Sequence, residues 1–218
     1  MRMRNKPWAR PELNVSELFV DEPENNKGKW KSQFENVNLP LHIELGCGKG
    51  GFISQLAFLN PSINYLAIDK QSNMLGLANR KIKAEFAKDN RKINNILLAA
   101  CDIERIFLIL SQNDKASRIY INFCNPWYKN KDKKKRLTHS RQLEKYKVFL
   151  EQGGEIWFKT DDDDLFADSL TYFEETGFKI RYITYDLHTS GFLQNVVTEH
   201  EEMFSKEGIK IKFLIAVL

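Results

Sequence analysis

Long apolar runs and paired cysteines are both absent from this 218-residue sequence. No stretch approaches the roughly 20 consecutive apolar residues that a membrane-spanning helix needs, so we expect no membrane association. The basic residues 1–10 contain neither an apolar stretch nor a cleavage site, and we expect no signal peptide. Cys47, Cys101 and Cys124 never form a CxxC pair, which predicts free thiols in a reducing cytoplasm.

The composition is that of a folded protein. Hydrophobic residues make up 42% and charged residues 28%, and there are 15 phenylalanines. The length suits one α/β domain with a short extension. It is compatible with a monomer and with a homodimer.

Charge is mild overall, at +4, but it is segregated along the chain. Residues 129–147 carry nine basic residues against Asp132 and Glu144. Residues 151–175 carry nine acids against Lys159. A basic surface beside an acidic one is typical of an enzyme that binds nucleic acid. The alternative is a pair of solvated helix faces.

Short apolar runs alternate with longer amphipathic stretches from Leu41 onward, which predicts a parallel sheet covered by helices on both faces. We expect residues 36–218 to form a single domain. Residues 1–35 are polar, and we expect them to form an N-terminal arm that becomes ordered against the substrate or against that domain. We predict two closing strands joined without a helix, as an antiparallel hairpin. The other predicted strands are residues 41–45, 64–68, 96–100, 118–123 and 155–159, and the predicted helices are residues 52–59, 72–87, 140–150 and 164–175.

A glycine-rich turn follows the first strand, with Gly46, Gly48 and Gly50 in a GxGxG pattern. Such a turn lets the backbone approach either a dinucleotide or S-adenosylmethionine. Glu44 lies two residues before it. A buried acid there would repel a pyrophosphate but suits a sulfonium ligand that carries an ammonium group, which favours the methyl donor.

Two further acids follow the next strands. Asp69 lies 23 residues after Gly46, where a carboxylate can accept hydrogen bonds from both ribose hydroxyls. Asp102 can accept from the adenine amino group. The alternatives are an ordinary strand-end cap for Asp69 and the N-cap of the next helix for Asp102.

The fourth strand leads into Asn125-Pro126-Trp127-Tyr128 and a lysine-rich run. Pro126 restrains the loop and favours an extended Asn125. Trp127 offers a flat face for a base. The run can pair with RNA phosphates, and its members are Lys129, Lys131, Lys133, Lys134, Lys135 and Arg136.

Acceptors for a guanine follow the fifth strand and precede the last one. Asp161 can accept from guanine N1–H or N2–H, whereas residues 162–164 suit the cap of the next helix. The loop residues Thr198, Glu199, His200 and Glu201 supply more acceptors. One histidine without a partner at ligand spacing does not support a metal site.

These motifs together resemble those of the bacterial tRNA (guanine-N7-)-methyltransferase family. The resemblance runs from Arg2, Arg4 and residues 8–10, through residues 43–50, 122–136 and 153–161, to residues 198–201. It implies a seven-stranded Rossmann-like (class I) methyltransferase sheet, S-adenosylmethionine as donor, and a guanine in the tRNA variable loop as target.

The resemblance also implies roles for individual residues. Cofactor contacts are implied for Glu44, Asp69, Asp102 and Asn125. Substrate contacts are implied for Lys129, Asp161, Thr198, Glu199, His200 and Glu201. The N-terminal arginines would join the lysine-rich run on the tRNA backbone.

The sequence departs from the family pattern at two positions. Asp69 stands where the family usually has Glu, which shortens the reach of the acid and keeps its charge. Asn125 stands where the family has the Asp regarded as catalytic. Guanine N7 carries a free lone pair, so no general base is needed, and we expect an active enzyme that works mainly by alignment.

Two rival functions follow from the same residues. Asn125-Pro126-Trp127-Tyr128 is similar to the Asn-Pro-Pro-Tyr motif of methyltransferases that act on exocyclic amines. Identifying the methylated atom would distinguish this function from methylation of guanine N7. A catalytically silent tRNA-binding relative would keep the basic run and lose the donor pocket. The retained Glu44, glycines and Asp69 argue against it.

Overall fold

A computed structural model describes residues 6–218, except for the side chain of Glu199. The predicted α/β architecture is confirmed: an eight-stranded sheet has the order β1-β4-β3-β2-β5-β6-β8-β7. Every neighbouring pair is parallel except β6–β8 and β8–β7. The strands are β1 (Phe19–Val20), β2 (Leu41–Leu45), β3 (Asn64–Asp69), β4 (Ile96–Ala100), β5 (Ala116–Asn122), β6 (Leu150–Thr160), β7 (Lys179–Thr184) and β8 (Lys212–Val217).

Helices cover both faces of this sheet, and apolar side chains on each face form one of two hydrophobic clusters. The helices are α1 (Ala9–Asn14), α2 (Gly51–Leu59), α3 (Ser72–Ala87), α4 (Ser140–Phe149), α5 (Asp163–Glu175) and α6 (Glu199–Lys206). No helix among residues 6–218 combines the length and the apolar character needed to cross a membrane.

The sequence signals at α5 act as predicted. The Asp162 carboxylate caps the helix by accepting a hydrogen bond from the Leu165 amide at 2.6 Å. Gly177 follows the helix with a φ of +79°, in the left-handed region that glycine adopts without strain. The Phe178 amide then closes the end by donating to the Phe173 carbonyl.

The amino-terminal stretch contributes to the same body from Ala9 onward. Helix α1 packs on α3, where a Cβ on Gly76 would lie 2.7 Å from the Cβ of Ala9. Strand β1 adds an eighth strand beside β4, where seven were expected. Trp30 is fully buried, and its indole Nε1 donates to the Ile109 carbonyl at 2.7 Å. The division into an arm of residues 1–35 and a domain of residues 36–218 stays a prediction.

The carboxyl-terminal third differs from expectation in one respect. Strands β7 and β8 pair antiparallel, as predicted, but the connection between them contains helix α6. The prediction of a helix-free connection was wrong because this eight-residue helix is polar on most of its surface. Its start is fixed instead by a capping box between Thr198 and Glu201.

Candidate active site

Two adjoining cavities open at the carboxyl ends of the central strands. One, of about 170 Å³, is lined by Glu44, by most residues of the stretch 46–52, and by Thr198 and His200. The other, of about 310 Å³, is lined by residues that follow β3, β4 and β5. Gly46, Asn122 and Phe123 line both cavities. This edge of an open parallel sheet is where ligands bind in α/β proteins.

Glu44 lies at the base of the smaller cavity and is 2% exposed. Its Oε1 accepts a hydrogen bond from Asn122 Nδ2 at 3.1 Å. Its Oε2 is buried and has no hydrogen-bond partner among the described residues. Burial raises the pKa of Glu44 to about 7, and the Asn122 hydrogen bond opposes this. A buried carboxylate oxygen without a partner is suited to a cationic ligand.

The three glycines of the turn divide between two tasks. Gly48 has a φ of +54°, and a Cβ there would meet no atom within 4 Å, so its backbone faces open space. Gly50 has a φ of +74°, and a Cβ there would lie 2.7 Å from the Cβ of Ala78. Gly50 therefore allows α2 to pack closely on α3. Gly46 lines both cavities and donates its amide to the Ile68 carbonyl at 2.8 Å.

Asp69 and Asp102 both line the larger cavity, beside each other at the ends of β3 and β4. Asp69 Oδ2 accepts from the Gly48 amide at 3.1 Å, which holds the glycine turn against β3. Burial raises the pKa of Asp69, while hydrogen bonds from backbone amides oppose this. Asp102 Oδ1 accepts from the Glu104 amide at 3.0 Å and caps a 3₁₀ helix. The capping alternative is thus confirmed for Asp102, whose carboxylate still lines the cavity.

The loop after β5 has an unusual backbone. Phe123 and Trp127 have φ values of +50° and +46°, in the left-handed region that bulky residues rarely adopt. Between them, Asn125 Oδ1 accepts from the Trp127 amide at 3.0 Å and fixes the turn. Asn125 and Trp127 both line the larger cavity. Such backbone strain persists where the surrounding structure enforces it, often at functional sites.

The predicted guanine acceptors lie around the end of β6 and the start of α6. Asp161 is half-buried, and its carbonyl accepts from Lys212 Nζ at 2.8 Å. Thr198 is buried and caps α6, so residues 198–201 belong to a helix start and not to the loop that we expected. His200 stacks on Phe123, with ring centroids 5.8 Å apart. The Glu199 side chain lies outside the described residues.

Glu201 is fully buried. Its Oε2 lies 3.1 Å from Lys159 Nζ and its Oε1 accepts from Asn195 Nδ2 at 2.5 Å. Both oxygens are engaged within the protein, and a direct contact from Glu201 to substrate stays a prediction.

The lysine-rich run folds as a 3₁₀ helix, Asn130–Lys135, beside the larger cavity. Lys129, Lys131 and Lys134 are exposed. Lys133 pairs with Asp168 at 2.7 Å, and Lys135 lies 4.8 Å from the centre of the Trp127 ring. Arg2 and Arg4, the predicted N-terminal contacts, lie outside the described residues.

Arg136 differs from its neighbours because its side chain is 1% exposed. The guanidinium donates to the Pro126 carbonyl and to Asp168 Oδ2, both at 2.5 Å. These bonds tie the Asn125-Pro126-Trp127 loop to α5. A guanidinium held in this way cannot reach a phosphate, which removes Arg136 from the predicted RNA contacts.

Sequence reasoning gave no role to Asn122 or Lys159. They are partners in the register of β5 and β6, and each is the first polar residue after an apolar strand core. Their position at the strand ends could have indicated a role at the site, because the strand ends at this edge of the sheet face the cavities. What each side chain contacts depends on residues far away in sequence.

Comparison with solved structures defines the class. The fold matches a structure titled an antibiotic-related methyltransferase with a TM-score of 0.61 and 18% identity, covering 91% of this chain and 95% of that one. It also matches the 16S rRNA methyltransferase KamB with a TM-score of 0.60 and 14% identity, covering 86% and 90%. At these identities the likeness concerns the fold alone, which is that of a class I methyltransferase.

Sequence comparison then gives the family. A family model described as a putative methyltransferase matches residues 38–214. The tRNA (guanine-N(7)-)-methyltransferase of Clostridium botulinum (strain Alaska E43 / Type E3) is 59% identical over 217 residues, covering 100% of this chain and 99% of the relative. That of Clostridium beijerinckii is 60% identical over 217 residues, again covering 100% and 99%. The chain belongs to the tRNA (guanine-N(7)-)-methyltransferase family.

Proposed function

We propose that this protein transfers a methyl group from S-adenosylmethionine to N7 of a guanine in tRNA. Family membership supports the reaction, and the observation that carries the donor assignment is the unpartnered Oε2 of buried Glu44 beside the glycine turn. The donor supplies an electrophilic methyl group on a sulfonium centre.

The residues present fit this donor along its length. Glu44 would accept from its ammonium group, and Gly46 and Gly48 leave room for its methionine part. Asp69 would accept from the ribose hydroxyls and Asp102 from the adenine amino group, since both carboxylates line the larger cavity. Gly50 would support the turn from behind through its contact with α3.

The target guanine would enter where the two cavities meet, beside Phe123 and Asn125. Asn125 would orient the donor and the base, while Asp161, Thr198 and His200 would hold the guanine edge. The reaction needs N7, the methyl carbon and the sulfur in line, and N7 carries no proton to remove. Catalysis would therefore come from alignment, with the amide dipole of Asn125 in place of a full charge.

The tRNA backbone would lie along the exposed lysines of the 3₁₀ helix, chiefly Lys129, Lys131 and Lys134. Lys133 and Lys135 are already paired with Asp168 and Asp132, so their contribution to phosphate binding would be smaller. Phosphate contacts position the RNA and give affinity without reading its sequence.

The decisive experiment is methyl transfer from labelled S-adenosylmethionine to unmodified tRNA, followed by nucleoside analysis. We expect 7-methylguanosine. A methylated exocyclic amine would instead support the alternative based on Asn125-Pro126-Trp127-Tyr128. Binding of donor and tRNA without any product would indicate a catalytically silent relative.

A further inference from the structure

Lys159 is a buried cation at the carboxyl end of β6, with its side chain 4% exposed. Its ammonium group donates to the Val196 carbonyl at 2.9 Å, to Glu201 Oε2 at 3.1 Å and to Asn195 Oδ1. An ammonium group has three hydrogens, and all three are engaged. Burial lowers the pKa of Lys159, and Glu201 opposes this. The side chain is therefore fixed in place.

The three acceptors belong to one stretch, residues 195–201, which we call the capping segment. Within it, Asn195 Nδ2 donates to Glu201 Oε1, and Thr198 and Glu201 form the capping box of α6. Two of its residues, Thr198 and His200, form one wall of the cavity that contains Glu44. Lys159 thus joins the sheet to the wall of the donor cavity.

Lys159 also acts in the other direction, toward Glu44. Asn122 is its partner in the sheet register and donates to Glu44, so Glu44, Asn122, Lys159 and Glu201 form a polar row across β2, β5, β6 and α6. The positive charge of Lys159 lowers the pKa of Glu44, while burial and the charge of Asp69 raise it. Two other titratable neighbours, Cys47 and Tyr120, are uncharged because burial raises the pKa of the Cys47 thiol and raises the pKa of Tyr120 to about 12.

We propose that Lys159 is a positioning residue with two tasks: it holds the capping segment as a wall of the donor cavity, and its charge favours the ionised form of Glu44 that an ammonium-bearing donor needs. The second task rests on the proposed function, because it assumes S-adenosylmethionine as the ligand of Glu44. A buried ion pair is weak support for stability, since apolar replacements are often as stable. Stability alone therefore does not account for the Lys159–Glu201 pair, and its location beside the donor cavity agrees with a role in positioning that site.

The test compares Lys159→Met with a matched control, Arg118→Met. Arg118 pairs with Glu155 at 2.9 Å across the same two strands, β5 and β6, on the amino-terminal side of Asn122 and Lys159. That is four residues away along the strand, or about 13 Å at the usual rise. Both variants lose a largely buried cation that is bound to a carboxylate, so both should lose thermal stability.

Two readouts separate the variants. Hydrogen exchange of the free protein should be at least about tenfold faster in residues 195–201 of Lys159→Met, because local opening has lost its main restraint. Calorimetry with S-adenosylmethionine across neutral pH should show binding weakened by up to about fivefold at pH 7, with the pH midpoint of binding shifted upward by up to about one unit. Arg118→Met should keep the wild-type values of both. The amino group of the donor titrates identically in each variant, so the comparison isolates the protein.

A double variant, Lys159→Met with Glu201→Gln, guards against misfolding. It leaves no uncompensated buried charge, so it should recover much of the stability lost in Lys159→Met. Its binding midpoint should remain shifted, because the cation near Glu44 is still absent. If the double variant binds the donor with the wild-type pH midpoint, the charge of Lys159 does not act on Glu44. If hydrogen exchange of residues 195–201 in Lys159→Met is as slow as in the wild-type protein, Lys159 does not hold the capping segment.

These outcomes are independent of the methyl acceptor. Exchange is measured on the free protein and binding on the donor alone, so a failure to methylate tRNA would refute the proposed function without affecting the exchange result. Absence of any donor binding by the wild-type protein would refute the donor assignment, and with it the proposed effect of Lys159 on Glu44.

Discussion

Asn122 Nδ2 donates to Glu44 Oε1 at 3.1 Å and leaves Glu44 Oε2 buried without a partner among the described residues. The Asn122 amide therefore satisfies only one of the two carboxylate oxygens. Without a ligand, the unpaired oxygen of Glu44 destabilises the folded protein, and a cationic ligand that pairs with it would remove this cost. Stability and ligand binding are opposed at this residue.

Glu44→Gln is therefore expected to stabilise the free protein and to abolish donor binding. The pKa of Glu44 is about 7 in the folded state and 4.5 ordinarily, so the folded state binds more protons between these values and its stability falls as pH rises through them. Above pH 7 the variant should be more stable by up to roughly 3 kcal/mol. Thermal melts at pH 8, with and without S-adenosylmethionine, measure both effects. A variant less stable than wild type would contradict the argument.

Donor binding by the wild-type protein should depend on pH through the same carboxylate. Only ionised Glu44 attracts the ammonium group, so affinity should fall as the pH drops from about 8 to about 6, through the pKa of about 7. Calorimetry in two buffers of different ionisation enthalpy should reveal proton release on binding at pH 6.5. Flat affinity and no proton release would show that Glu44 is ionised throughout.

Asn125→Asp should raise the rate of the chemical step. The new carboxylate can keep the hydrogen bond that Asn125 Oδ1 accepts from the Trp127 amide, and it adds a negative charge as positive charge develops on the guanine. We expect a gain of about fivefold, equivalent to about 1 kcal/mol. Single-turnover methylation of tRNA with saturating donor isolates this step. An unchanged or lower rate would mean that alignment alone sets it.

Replacing Lys131 and Lys134 together by Gln should weaken tRNA binding and flatten its salt dependence. Both side chains are exposed on the 3₁₀ helix beside the larger cavity, and losing two phosphate contacts should reduce the log–log salt slope by between one and two. Lys88→Gln is a matched control, since α3 runs away from the carboxyl edge of the sheet and Lys88 follows its end. Equal slopes in both variants would place the RNA elsewhere.

Arg136→Met should reduce stability and not the salt slope. The guanidinium is buried and tethers the Pro126 carbonyl to Asp168, so its loss leaves a partly buried acceptor unpaired and costs about 2 kcal/mol. Denaturant unfolding measures the cost, and tRNA binding at several salt concentrations supplies the comparison. If the slope fell while stability held, Arg136 would contact phosphate after all.

The fold was largely predictable because its strands are short apolar runs that end in polar residues. Leu41–Leu45 and Ile96–Ala100 match their predicted bounds, and the Asp162 cap and Gly177 define the ends of α5 as expected. Helix α6 and strand β1 were not predicted, for two different reasons. The first is mostly polar, and the second has two residues, too few to show a period.

The sequence also indicates part of the arrangement at the candidate site. Residues at the ends of parallel strands must meet at one edge, which brought Glu44, Asp69, Asp102 and Asn125 to two adjoining cavities. The sequence could not separate Arg136 from the exposed lysines beside it. Its burial depends on Asp168, 32 residues further along the chain.

The sequence by itself determined the sheet, the glycine turn, the acids at the strand ends and the family, because these depend on local chemistry and on the order of residues. Tertiary structure decided which charges are free. It buried Lys159 against Glu201 and Arg136 against Asp168, and it left one oxygen of Glu44 unpaired. The physical reason is that a charge acts through its solvation and its nearest partners, and both are set by segments that meet only in the folded chain.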